Sequence, residues 1–222
     1  MAPIVSIVGV SGVGKTTLLE HLVSELKRRS YRVATIKHDV HGFDMDKPGK
    51  DSWRLVQAGS DIMVLSSPEK LALIKKVDHD STLQELARLV GDSADIILTE
   101  GFKQGEAPKI EMHRKVVNKE LLCSPSELVA LVTDEPLDLP VWQCSMEEIP
   151  KLADLVESTF LTVQREEEAT LFVNGVFIPM TPFVQGFITK TLVGMVSVLK
   201  GVEEIRSLDV SLKRNLPQDK VH

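Results

Sequence analysis

Two short constellations of residues in this sequence could do chemistry. The first is Gly9-Val10-Ser11-Gly12-Val13-Gly14-Lys15-Thr16, a G-x-x-x-x-G-K-T run. Glycines let successive backbone N–H groups turn inward as a concave nest for phosphate oxygens. Lys15 then supplies a cation for the β- and γ-phosphates, and the Thr16 hydroxyl a ligand for Mg²⁺. The second is Ile96-Ile97-Leu98-Thr99-Glu100-Gly101, an apolar run ending in an acid and a glycine. A nucleotide site of this kind needs an acid at the end of a neighbouring strand, reaching the Mg²⁺ shell or the attacking water. Gly12, Val13, Gly14, Lys15, Thr16 and Thr17 are the phosphate-binding candidates. Lys15 and Glu100 are the catalytic candidates, and Thr16 and Glu100 the metal-side candidates.

These patterns mean something only in the right frame. Ile4-Val5-Ser6-Ile7-Val8 reads as a strand entering the glycine run, and residues 16–30 as a helix leaving it, with Leu18, Leu19, Leu22, Val23 and Leu26 on one stripe. Lys27, Arg28 and Arg29 suit that helix's C-terminus. Residues 32–37 form the next strand, so the start reads β–loop–α–β, the strand–P-loop–helix context of a parallel sheet. A polar loop over 38–51 follows, with Asp39, Asp44, Asp46, Asp51, His38 and His41. It starts at the carboxyl end of a strand, where ligands sit in open α/β sheets. Two readings stand for it: a metal- or substrate-side segment, or a solvated loop. The two histidines find no third soft ligand, which argues against zinc.

Further along, residues 51–59 read as a short capped helix stopped by Gly59. Residues 61–66 and 71–74 read as a third and a fourth strand, and 83–89 as a helix capped by Ser81 or Thr82. The strand carrying Glu100 comes next. Residues 109–114 alternate like an edge strand, 129–134 form a strand ending in Asp134, and 140–144 a last short one. Residues 149–160 close the domain as a helix. The predicted fold class is α/β: a P-loop NTPase three-layer sandwich with a mostly parallel sheet, plus a small C-terminal α+β module.

Composition bounds the rest. The chain has 222 residues, 43% hydrophobic and 26% charged, enough apolar material for a core. A net charge of −6 gives no general attraction to nucleic acid or membrane surfaces. The two cysteines, Cys123 and Cys144, are too few for a disulfide scaffold and read as buried thiols in a reducing compartment. The start, Met1-Ala2-Pro3-Ile4, lacks the basic region of a signal peptide and runs directly into the P-loop, and residues 183–199 are too polar to span a membrane. A soluble, cytoplasmic protein is expected.

Taken together, the P-loop, Thr35-Ile36-Lys37-His38, Gly49-Lys50-Asp51-Ser52-Trp53-Arg54, Ala58-Gly59, Ile97-Leu98-Thr99-Glu100-Gly101-Phe102-Lys103, Pro108-Lys109-Ile110-Glu111 and Val132-Thr133-Asp134 resemble the MobB family, over residues 3–160. The resemblance implies a GTP-binding adaptor of molybdopterin guanine dinucleotide (molybdenum cofactor) biosynthesis, usually dimeric and weakly active as a GTPase. It also implies work beside a MobA-like guanylyltransferase that attaches GMP to molybdopterin. By the same resemblance, residues 12–17 hold the phosphates of GTP, Thr16 and Glu100 serve Mg²⁺, and Asp46 and Asp51 lie near the metal. The guanine-reading Asn-Lys-x-Asp is absent, since Asn118-Lys119-Glu120-Leu121 ends in Leu. Asp134 is the better candidate, because a carboxylate accepts from both guanine N1–H and N2–H; a solvated turn acid before Pro136 is the other reading.

The domain division expected is 1–163 for the GTP-binding part and 168–214 for a small ββαβ module, after a charged linker at 164–168. In that module Asn174-Gly175 marks a hairpin, Pro182 and Gly201 bracket a helix, and residues 204–212 alternate like a third strand. It carries no catalytic constellation and reads as a dimer or partner contact, or as a structural cap. Two other functions are open to a chain with a P-loop. A small-molecule kinase would need an arginine-rich lid, which is missing here. A module that only sequesters nucleotide would show no turnover.

Overall fold

The strand that enters the glycine run, β1 (Ile4–Val8), sits near the middle of the sheet rather than at an edge. In the computed structural model, which describes residues 2–39, 42–117, 120–162, 169–205 and 207–213, it is followed by α1 (Lys15–Arg28), β2 (Val33–Lys37), α2 (Asp51–Gln57), β3 (Ile62–Ser66), β4 (Leu71–Lys75), α3 (Leu83–Val90), β5 (Ile96–Glu100), β6 (Lys109–His113), β7 (Leu128–Thr133), β8 (Trp142–Cys144) and α4 (Ile149–Val156). Then come β9 (Leu171–Val173), β10 (Val176–Ile178) and α5 (Pro182–Ser197). Six strands pair in parallel in the order β2-β5-β1-β6-β7-β8. This is the α/β parallel-sheet class expected.

One face of the sheet is the hydrophobic core. Val5, Ile7, Ile96, Leu98, Ile110, Met112, Ala130 and Val132 alternate onto it and meet Leu18, Leu22 and Leu26 of α1 and Ile149, Leu152, Ala153 and Val156 of α4. The period-2 pattern of the strands and the 3–4 spacing of the helices make this layer unavoidable. Arg29, at the end of α1, donates to Glu25 and Glu157, and Tyr31 donates to Glu157, which ties α1 to the turn after α4. That helix ends at Val156 and widens into a π turn over Glu157–Leu161, shorter as an α-helix than the spacing predicts.

β6 corrects the sequence reading. It is no edge strand but lies between β1 and β7, and all five of its residues are buried. Its polar alternation misleads because the polar face is paired rather than solvated. The Glu111 carboxylate accepts from Leu122 N–H (2.7 Å) and Cys123 N–H (3.0 Å), Lys109 donates to Glu127 (3.2 Å), and His113 Nδ1 lies 3.3 Å from Thr133 Oγ1. The connection from β6 to β7 supplies the partners of Glu111 and Lys109, and β7 that of His113, and a burial-only pattern does not announce them.

β3 and β4 pair antiparallel with each other, in a sheet separate from the six strands. α3 carries a full capping box on Thr82 and Glu85, as the Ser81/Thr82 signal predicts. α2 begins after Lys50 without a side-chain cap, so Asp51 and Ser52 lie inside its first turn rather than ahead of it.

The chain divides into two units, 1–164 and 165–222. In the second, β9 and β10 form the hairpin expected around Asn174-Gly175, whose φ values of 52° and 86° are those of a type I′ turn. Phe172 and Phe177, directly opposite, pack edge to face at 5.8 Å. The expected third strand is absent among the described residues of 204–212, where no ladder partner is found. The 164–168 linker, His41, Asn118-Lys119 and Arg206 lie outside the described residues.

Candidate functional site

Parallel pairing puts the carboxyl ends of β1, β2, β5, β6 and β7 on one edge, where the candidate residues gather. Gly9 leaves β1 at φ 149°, and a Cβ there would stand 2.6 Å from the Met112 carbonyl oxygen and 2.9 Å from Val13 Cγ1. Only glycine fits between β6 and the turning loop. Gly14 is the N-cap of α1 at φ 112°, so the helix begins at Lys15 with its first N–H groups and positive dipole end at the loop. That is the arrangement that receives an anion. The Lys15 ammonium folds back on the loop and donates to the Gly9 and Val10 carbonyls (3.1 and 2.9 Å). Val13 is fully buried in the core, so its side chain anchors the loop from below.

Across from it, Thr16 Oγ1 donates to Glu100 Oε2 at 3.0 Å, joining residues 84 apart in sequence. β5 lies beside β1 with Ile7 opposite Glu100, and Gly101 N–H donates to the Ile7 carbonyl (3.1 Å). Lys37 Nζ, at the end of β2, is 4.0 Å from the same Glu100 oxygen. A hydroxyl and a carboxylate side by side are hard oxygen donors, the type Mg²⁺ takes. Among the described residues no group of three or more His, Cys, Asp or Glu is arranged to hold a metal by itself. This suits a cation that keeps waters and phosphate oxygens in its shell. Thr17, on the first turn of α1, is exposed.

The remaining candidates make their hydrogen bonds and ion pairs elsewhere. Asp46 Oδ1 accepts from Lys47 N–H (2.9 Å) and Ser52 Oγ–H (3.0 Å) within its own loop. Its Oδ2 is buried with no hydrogen-bond partner, an acceptor open to a cation or donor. Asp51 is exposed on α2, 3.7 Å from Arg54. Asp134 follows β7, two strands from β1 on the side away from Glu100; its Oδ1 accepts from Lys115 N–H (3.1 Å), and Arg114 Nε is 4.0 Å from Oδ2. The thiols of Cys123 and Cys144 are both pushed up to about 11 by burial, which keeps them protonated at neutral pH.

The family model described as molybdopterin guanine dinucleotide synthesis protein B (MobB) matches residues 4–134, from β1 to the acid after β7. The chain belongs to the MobB family. A Haemophilus influenzae relative, described as a molybdopterin-guanine dinucleotide biosynthesis adapter protein, is 40% identical over 157 residues, covering 70% of this chain and 88% of its own length. A Methanocaldococcus jannaschii relative is 24% identical over 236 residues, covering 94% of this chain and 97% of its own. Its match therefore runs into the second unit. The crystal structure of Bacillus subtilis MobB superimposes with a TM-score of 0.56 at 28% identity, covering 71% of this chain and 98% of that one.

One residue at this edge, Asp80, gave no sequence signal. His38, first past β2, lies against Phe102 with ring centroids 4.6 Å apart, and its Nε2 is 3.0 Å from both Asp80 oxygens. Asp80 stands on the connector between β4 and α3, 42 residues from His38, where spacing carries no information.

Proposed function

We propose that this chain binds GTP with Mg²⁺ at the β1–α1 loop. It then acts as an adaptor in molybdopterin guanine dinucleotide biosynthesis, beside a MobA-like guanylyltransferase and molybdopterin, in the cytoplasm. The observation that carries the reading is the 3.0 Å Thr16–Glu100 hydrogen bond directly beside the glycine loop. It brings together the two oxygen ligands that the chemistry needs, with Lys15 on the other side of the loop. When bound, Mg²⁺ would be held by Thr16 and Glu100 and would offset the phosphate charge. The chain's own part is to hold the phosphates on the loop N–H groups, to present Lys15 as counter-charge, and to orient Glu100. With no arginine in the Gly9–Thr16 loop, turnover is slow and the GTPase weak. Asp46 is the second acid of the metal side, and Asp134 the acceptor for the guanine N1–H and N2–H.

The working state is a homodimer. One face of the β3–β4 hairpin carries Ile62, Val64, Leu71 and Leu73, which are 46–68% exposed and contiguous in the antiparallel register. A patch of this kind on an isolated hairpin is characteristic of an association surface. Calorimetry with GTP, with and without Mg²⁺, tests the site: Thr16→Ala and Glu100→Gln should each remove the Mg²⁺-dependent gain in affinity. Retention of the full gain in both would defeat the reading. Sedimentation of Val64→Lys tests the dimer, which should dissociate.

A further inference from the structure

Two segments converge on His38 at the end of β2, and neither of them is the glycine loop. Its backbone N–H donates to the Glu100 carbonyl at 3.1 Å, so the end of β2 is fastened to the end of β5 at the acid itself. Its ring packs on Phe102, two residues past Glu100, at 4.6 Å and 33°. Its Nε2 lies 3.0 Å from both oxygens of Asp80, on the connector that leaves the β3–β4 hairpin. A carboxylate has no proton to give, so Nε2–H is the donor, and the ring orientation is fixed from both sides.

The chain around Glu100 needs this fastening. Gly101 turns at φ 106° and Phe102 at φ 55°, a left-handed pair in which Phe102 carries a Cβ. Such a conformation costs about 1 kcal/mol or more and persists only where surrounding contacts impose it. A Cβ on Gly101 would meet His38 Cβ at 3.4 Å, an ordinary van der Waals contact, so the turn runs directly beside the end of β2. Gly105 N–H donates to the Phe102 carbonyl (2.9 Å) and closes the turn from the other end.

We propose that Asp80 is a positioning residue for the metal-side carboxylate. Through His38 and Phe102 it holds the Glu100–Phe102 turn, and with it the angle at which Glu100 meets Thr16. This rests on the reading of Thr16 and Glu100 as the Mg²⁺ side.

The test uses the full chain with Asp80→Ala and Asp80→Asn and two readouts. The first needs no nucleotide: amide hydrogen exchange of His38 and Gly101 should be about tenfold faster in Asp80→Ala and close to the parent in Asp80→Asn, which keeps an acceptor for Nε2–H. Unchanged exchange in Asp80→Ala overturns the proposal. The second is GTP affinity by calorimetry. Asp80→Ala should lower the Mg²⁺-dependent gain about fivefold and leave the Mg²⁺-free affinity as it was. An equal loss with and without Mg²⁺ would mean a general loosening and also overturns it. If the parent chain shows no Mg²⁺-dependent gain, the proposed function fails, while the exchange readout still decides whether Asp80 holds the turn.

Discussion

Gly9→Ala is the perturbation whose size the structure fixes most closely. The added Cβ would stand 2.6 Å from the Met112 carbonyl oxygen and 2.9 Å from Val13 Cγ1. Met112 belongs to β6, which is laddered to β1 on one side and β7 on the other, so its carbonyl has no room to retreat. Val13 is fully buried. Backbone strain at φ 149° costs about 1–3 kcal/mol, and overpacking against a fixed wall about 1–3 kcal/mol more. A central value of about 4 kcal/mol corresponds to a fall in melting temperature of roughly 8–16 °C for a domain of this size. Gly12→Ala is the matched control: φ is 76°, and a Cβ meets nothing within 4 Å. Strain alone, about 1–2 kcal/mol, lowers the midpoint by roughly 2–8 °C. Calorimetric melting of the nucleotide-free chain measures both. Equal shifts for the two variants would refute the claim that β6 forms the floor of the loop.

Other consequences follow from the same geometry. Glu111→Gln sets an amide N–H₂ against the Leu122 or Cys123 N–H, and chemical denaturation should register a loss of about 2–4 kcal/mol. Hydrogen bonds from Arg28 and Arg29 hold the Glu25 carboxyl down at about 2, against an ordinary 4.5, and Tyr31 and then Arg29 lower that of Glu157. Their contribution is complete above pH 4.5 and lost as pH falls toward 2, so the melting temperature should decline over that window and decline less in Arg29→Met. At pH 8 the native thiols of Cys123 and Cys144 should react with a maleimide about a hundredfold more slowly than an exposed cysteine, because burial raises both to about 11. Full reactivity should return in denaturant.

The strand and helix periods, and the glycine run between β1 and α1, were legible because local rules decide them. The position of the acid at the end of β5 was legible too: a hydrophobic run that stops at Glu-Gly ends a strand, and its pairing with β1 sets Glu100 opposite Ile7 beside the glycine loop. β6 was misread because polar alternation on a central strand looks like solvation until the loop after it brings N–H donors to Glu111. The separation of β3 and β4 from the main sheet was hidden for a related reason. Strand propensity says nothing of partner choice, and a short turn between two strands allows them to pair with each other. Residues 204–212 alternate cleanly yet form no strand among the described residues, since alternation without a neighbouring edge leaves the backbone groups nothing to pair with. Asp80 lay beyond any pattern, because its meeting with His38 depends on where the hairpin connector returns.

The most direct test of the central claim is a paired titration of the intact chain with GTP and with ATP, both in Mg²⁺, repeated with Lys15→Ala. The account predicts tight binding of GTP, at least tenfold weaker binding of ATP, and loss of tight binding of either in Lys15→Ala while the melting curve stays cooperative. Equal affinity for the two nucleotides would remove guanine from the account. GTP affinity unchanged by Lys15→Ala would contradict the phosphate cradle at Gly9–Thr16 itself.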